Sequence, residues 1–330
     1  MEAFWFLGEL FFINWEFAMK SKIHHFTFLV LLFCVGFNAF TRDNGIDLVT
    51  DFTTESAEPL AVHGDFVLRG AALVSYTGKS TNVVIPANLG VRLILDDAFA
   101  HSPVVTVVIP EGVQELGYGA FASCEHLTSI TIPNSVTKMG AKIFLECSSL
   151  ISITIPNGVT IIGDKAFDDC ISLASIIIPN SVTTIGDGAF FGCRNLTVIF
   201  IPSSVITIGD SAFAYCNKLS EIRVDDRNTY YSSVNGILFN KSKTELVQYP
   251  SGMESTVYVI PNTVTTIRSG AFSSCDYITS ITIPVSVIAI GSYVFPGCRN
   301  LRTISLSRKT KIDRYAFIYI DPAPVIHYYD

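Results

Sequence analysis

Leu173-Ala-Ser-Ile-Ile-Ile-Pro179-Asn-Ser-Val-Thr-Thr-Ile185-Gly-Asp-Gly-Ala-Phe190-Phe-Gly-Cys193 decides the fold, because the same pattern begins again at Leu196. Leu127, Leu150, Leu173 and Leu196 open successive units, and proline recurs at 110, 133, 156, 179 and 202, then at 261 and 284. Phenylalanine recurs at 121, 144, 167, 190 and 213, then at 272 and 295; cysteine does so at 124, 147, 170, 193 and 216, then at 275 and 298. Within each run the interval is 23 residues. A fixed period of this size marks a solenoid, since so short a unit has no interior and must bury its apolar side chains against its neighbours.

Inside one unit, Leu-x-x-Ile-x-Ile alternates apolar and polar positions, as a strand with one buried face requires. Ile130 and Ile132 are expected to point inward, Ser129 and Thr131 outward. Proline ends the strand because it has no N–H to give a ladder, and Asn134-Ser135, Asn157-Gly158 and Asn180-Ser181 supply turns. A second extended stretch, Val182 to Ile185, leads to Gly186, and Ala189-Phe190 brings the chain back to the core. About five buried apolar side chains per coil, at roughly 1.5–3 kcal/mol each, offset the ordering entropy of the coil.

The whole unit, Leu-x-x-Ile-x-Ile-Pro-x-x-Val-x-x-Ile-Gly-x-x-Ala-Phe-x-x-Cys, resembles the BspA-type leucine-rich repeat, the Treponema pallidum-like class. The resemblance covers about residues 64–320, with nine repeats if counted from Phe99 to Phe317. It implies a β-rich leucine-rich-repeat solenoid, right-handed, with parallel strands on the concave face and about nine 23-residue coils. It also implies adhesion or ligand binding outside the cell as the usual family role.

Two departures interrupt the pattern. Pro202 and Pro261 are 59 residues apart, two periods plus thirteen, and Tyr230 to Tyr258 lacks the Ala-Phe-x-x-Cys signature. There, Gly236-Ile-Leu-Phe-Asn, Leu246-Val-Gln-Tyr249 and Val259-Ile-Pro261 echo Gly64-Asp-Phe-Val-Leu, Leu73-Val-Ser-Tyr76 and Val84-Ile-Pro86. Both stretches read as a β-hairpin preceding a fresh run of coils. Pro86 to Phe99 is also two residues longer than usual, as befits a terminal coil. The expected organisation is a capping hairpin at 64–85, repeats at 86–224, a hairpin insertion at 225–259, repeats at 260–320 and a tail at 321–330.

The N-terminus has the layout of a leader: Lys20, Lys22, His24 and His25 precede the apolar run Phe26 to Phe37, too short to span a bilayer comfortably. Residues 19–40 therefore read as a signal peptide or anchor, 41–63 as a linker, and 1–18, ahead of Met19, as a non-native extension. The expected location is secreted or cell-surface, with membrane contact only through an uncleaved N-terminal segment.

Composition excludes several classes. Hydrophobic residues make up 49% and charged ones 15%, which rules out a disordered chain. The net charge is −7, and the only basic run is Arg308-Lys309-Thr310-Lys311, so no nucleic-acid footprint exists. The repeat cysteines lie 23 apart on adjacent coils, unlike metal ligands two to five residues apart. They read as a buried thiol column, with disulfides between adjacent coils as the alternative. Gly78-Lys79-Ser80 ends like a phosphate loop, but Leu73 stands where the first glycine belongs and strand, not helix, follows. His63, His101, His126 and His327 fall into no catalytic order. No cofactor, metal or catalytic set is expected, and an enzyme is disfavoured.

The outward positions of the concave strands carry the binding expectation. Ser152, Thr154 and Ser175 present hydroxyl groups, as any solvated sheet would, but Ile177, Val198 and Phe200 place apolar groups among them. Glu221 and Arg223 add a charged edge, and Tyr230 and Tyr231 add aromatics beside the insertion. These ten residues form the expected ligand surface, for an extracellular protein or glycan; a structural solenoid without a discrete ligand is the alternative. A threonine ladder on the second stretch, Thr137, Thr160, Thr183 and Thr265, is broken by Ile206 and Ile288. Asn195-Leu-Thr197 and Asn240-Lys-Ser242 are glycosylation sequons, meaningful only in a eukaryotic host.

Overall fold

The computed structural model describes residues 58–329; the expected leader and the extension before it lie outside them. The described chain winds into a parallel β-solenoid of about 11 turns, two more than the phenylalanine column indicates. The extra turns are those in which tyrosine takes the phenylalanine position: Tyr76 stacks on Phe99 at 5.0 Å and Tyr249 on Phe272 at 5.2 Å.

Each turn carries a strand on two sides. One ladder side stacks Ser129–Thr131, Ser152–Thr154, Ser175–Ile177, Val198–Ile201 and Glu221–Val224, hydrogen-bonded in short groups with breaks after Thr131 and Ile177. Its pairs are parallel and in register by one repeat: Thr154 lies beside Ile177, and Phe200 beside Arg223. The second ladder is shorter in each turn, as at Ile161–Ile162 and Thr184–Ile185. On the third side two left-handed residues bend most coils; Lys165 (φ 54°) and Asp169 (φ 54°) occupy the places that Gly188 (φ 57°) and Gly192 (φ 69°) hold one turn later. The longer first coil absorbs its surplus in a 3-10 turn at Ala87–Leu89, ended by Gly90 at φ 65°.

Inside, the repeat positions become columns. Phe121, Phe144, Phe167, Phe190 and Phe213 are buried and stack with centroids 5.4–5.7 Å apart and planes within 17–18° or better. Offset stacking at this separation adds to the burial of each ring, so truncating one costs about 3–5 kcal/mol. The cysteines run alongside as free, buried thiols. Each thiol of the regular coils donates to the carbonyl of the phenylalanine three residues before the preceding coil's cysteine: Cys147 to Phe121 (3.1 Å), Cys170 to Phe144 (3.1 Å), Cys193 to Phe167 (3.2 Å). The same carbonyl accepts the backbone N–H of that preceding cysteine, so the thiol is a second donor that ties one coil to the next. Burial pushes the Cys216 thiol up to about 12, which keeps it protonated and unreactive.

The 59-residue departure is a three-stranded antiparallel meander, one strand more than a hairpin. Tyr231–Val234 pairs with Ile237–Asn240, which pairs with Glu245–Gln248, and this last strand runs parallel to Thr266–Ile267. The N-terminal cap is built the same way from Leu60–His63, Phe66–Arg69 and Ala72–Tyr76, followed by Leu93–Ile94, with a bulge at the same point. The two-residue turns Gly64-Asp65 and Asn235-Gly236 superpose in this pairing, so Gly236 matches Asp65, one residue away from the sequence alignment with Gly64.

The meander has two buried faces. Tyr231, Leu238 and Val247 pack into the core of the first block, while Ile237, Phe239, Leu246 and Tyr249 pack into that of the second. It thus stands as a wall between two cores. On the third side the coils before and after it touch directly: Ser211 N–H donates to Ser269 O (3.3 Å), and Arg268 donates to Asp210 Oδ1 through Nε (3.0 Å) and Nη2 (2.7 Å). The third guanidinium nitrogen reaches Ile208 O at 2.8 Å. The insertion therefore enters from the ladder sides and leaves the turns of the third side in contact.

One repeat position breaks the apolar rule. Asp168 follows Phe167 where the adjacent coils have Leu145 and Phe191, and its side chain is nearly buried, with Lys165 Nζ at 3.6 Å. Burial raises its carboxyl from 3.8 to about 6, against the pull of Lys165. A carboxyl whose folded value is raised costs stability above that value, and the cost fades as pH falls from about 6 toward 4. Asp168→Asn is accordingly expected to raise stability at pH 7 by on the order of 1–2 kcal/mol. Urea unfolding at a series of pH values checks this, and the gain should vanish near pH 4, where the aspartic acid is itself neutral.

Candidate functional site

The exposed rows of the first ladder gather at its end, where the regular coils meet the tip of the meander. Asn235 and Gly236 both have positive φ, 52° and 81°, the two-residue turn that joins strands of native twist. The tip leans on the last strand: Ile222 N–H donates to Gly236 O (2.9 Å), and Ser233 Oγ donates to Ile222 O (2.5 Å). Glycine suits 236 by its φ, and a Cβ there would make a tight approach, 3.2 Å, to Glu221 Cγ.

Between strand and tip lies a depression of about 620 Å³ lined by Phe200, Ser220, Glu221, Arg223, Val224, Ser233, Asn235 and Gly236. Phe200 is 47% exposed, an aromatic surface on the wall. Arg223 Nη2 and Glu221 Oε2 form an ion pair at 2.8 Å along the strand, two residues apart and therefore on one face. The guanidinium donating to Glu221 holds its carboxyl below the usual range. A second, smaller depression of about 270 Å³ lies further along the same ladder, lined by Ser129, Ser152, Thr154, Ser175 and Ile177 together with buried isoleucines. Ile177 is 80% exposed there, the most uncovered large apolar side chain in the described chain. Val198, half-buried, lies between the two on the strand that carries Phe200.

Eight of the ten expected residues thus share one face, and two do not. Tyr231 is only 7% exposed and serves the interior: its hydroxyl accepts the N–H of Ile208 at 2.8 Å, ending the second ladder of the first block. Tyr230 is exposed but sits at the base of the meander, beside Lys241, at the opposite end from the tip. Alternation put one of two adjacent tyrosines inside, and the inner one met an unpaired amide. Asn228 anchors the same corner. Fully buried, it donates to Pro202 O (2.9 Å) and Val205 O (3.0 Å) and accepts from Tyr230 and Tyr231 N–H (both 2.8 Å). Sequence reasoning missed Ser233, Asn235 and Gly236; the Asn-Gly pair between two apolar strands was the available signal.

The chain belongs to the BspA-type leucine-rich repeat family, whose repeat region matches residues 73–160, 138–256 and 252–322. Several solved structures are similar to it. A leucine-rich cell surface protein of Faecalibacterium prausnitzii is 28% identical with a TM-score of 0.62, over 83% of this chain and 96% of that one. A leucine-rich repeat protein of Eubacterium ventriosum is 27% identical with a TM-score of 0.56, over 74% and 68%. The pneumococcal vaccine antigen PcpA is 20% identical with a TM-score of 0.65, over 77% and 72%, a likeness of fold. Among curated proteins none matches this chain at a significant level. Among the described residues no helix is long and apolar enough to cross a membrane, and no group of three His, Cys, Asp or Glu is placed to hold a metal ion.

Tyr231→Phe tests the corner. It leaves the buried Ile208 N–H without a partner, and a loss of about 1–3 kcal/mol is expected. The urea midpoint should fall and exchange of the Ile208 amide should quicken; an unchanged midpoint would show that the hydroxyl adds nothing.

Proposed function

We propose that the protein acts outside the cell, secreted or held at the surface, as a binding module that captures an extracellular protein or glycan through the ladder face from Ser152 to Arg223. The observation that carries this reading is the exposed apolar pair Ile177 and Phe200, set among hydroxyl groups, with Phe200 lining the depression at the meander tip and Ile177 the smaller one further along the ladder. A sheet face with no partner gains nothing from uncovered Ile and Phe, and apolar centres with polar rims are how interfaces are built. Family membership and the cell-surface description of the Faecalibacterium prausnitzii relative support an adhesive role. A solenoid fold of this family is typically not an enzyme.

Adhesion of the purified full chain to intact epithelial and bacterial cell surfaces tests the reading. Replacing Phe200 and Glu221 together with Ala is expected to weaken retention at least about tenfold, while the thermal transition moves little because both side chains are substantially exposed. Ile206→Ala, on the second ladder, serves as the control and should bind like the parent. Equal retention of all three proteins would move the site off this face.

A further inference from the structure

We infer that the depression at the meander tip is a subsite for a neutral glycan, a short stretch of a linear hexose polymer. The inference rests on the binding reading above and names its ligand class.

Four properties of the depression point there. First, its charge is compensated: its only ionic groups are Glu221 and Arg223, and they are paired with each other at 2.8 Å. A charged ligand would have to displace one member of the pair, whereas a neutral one binds beside it. Second, the free polar groups are both donors and acceptors. Among the described residues, Glu221 Oε1, Arg223 Nε and Nη1, and the Asn235 side-chain amide have no hydrogen-bond partner. Ser220 and Ser233 spend their protons on Thr197 O and Ile222 O, so their oxygens remain free to accept. Sugar hydroxyls, each donor and acceptor at once, satisfy such a mixed ring; planar carboxylate, guanidinium and amide groups can each take two of them.

Third, Phe200 offers an exposed aromatic surface in the same wall. The negative face of a ring attracts polarised C–H groups, which line one side of a hexose. Fourth, the commonest way for a sheet end to hold a peptide is closed. An added strand needs the outward N–H and C=O of the edge, and at Ile222 both are taken by Gly236 O and Ser233 Oγ. The volume of about 620 Å³ suits a few sugar rings and is too small for a folded domain. Beyond it, Ser175 and Ser152 continue along the ladder in one-coil steps, a track for the rest of the polymer.

The test uses the full chain on immobilised β-glucan, mannan and galactan, with heparin and gelatin as the charged and peptide comparisons. At least one neutral polysaccharide should retain the protein, and retention should persist in high salt. Phe200→Ala should weaken it about tenfold, and Asn235→Gly, which keeps the turn and deletes the amide, severalfold. Retention by heparin or gelatin alone, or retention of a neutral glycan that ignores both substitutions, overturns the assignment. Treatment of target cells separates this inference from the one beneath it. Adhesion lost to periodate but not to protease supports the glycan. Adhesion lost to protease but not to periodate removes the glycan and leaves a protein-binding face. No adhesion to untreated cells removes both.

Discussion

A coil of 23 residues has no inside until another coil lies on it, and the rest of the molecule follows from that constraint. Phe167 is covered because Phe144 and Phe190 lie above and below it; the Cys170 thiol finds an acceptor because the Phe144 carbonyl is one turn away. Each interaction is ordinary in strength. Their effect comes from repetition in register, which turns a row of small local bonds into columns that share one core. The same constraint makes any end or interruption costly, since the last ring of a stack has one naked side.

The meander resolves that problem at the start of the array and at the break. At the start of the described chain, Tyr76 stacks on Phe99, and Phe66 and Leu68 from the strand beside it cover the end of the stack and core. At the break, the meander must cover the end of one block and begin the next, and it does so by using both faces of its strands. Ile237, Leu238 and Phe239 alternate between the two cores, which is why three consecutive residues of the middle strand are apolar where an exposed hairpin would alternate them with polar ones. Tyr231, Asn228 and Arg268 supply the polar half of the joint, each reaching an amide or carbonyl that the missing coil would have paired.

Most of the solenoid could be read from the chain because its rules are local and repeated: strand alternation, proline, turn residues and the Phe and Cys columns each recur several times. The number of turns was underestimated where Tyr76 and Tyr249 replace phenylalanine, since identity was counted where only size and flatness matter. The face was legible for Ser152, Thr154, Ser175, Ile177, Val198, Phe200, Glu221 and Arg223, because alternation within a strand decides inside from outside. It failed at Tyr231, where the ladder gives way to an antiparallel meander and the buried side is set by a core belonging to another stretch of chain. The approach of Asn235 and Gly236 to Glu221 was out of reach for the same reason. Nothing in a period of 23 states where a non-repeating hairpin will rest its tip.

Because the second block begins with its own cap, the chain is composed of two sentences, each with a capital letter, and not of one long sentence with a comma. Coils can be gained or lost in the middle of either run without touching the joint, which involves only the turns adjoining the meander. Length and joint are therefore separable properties in this architecture: either run can be lengthened or shortened while the corner where the meander tip rests on the last strand stays the same.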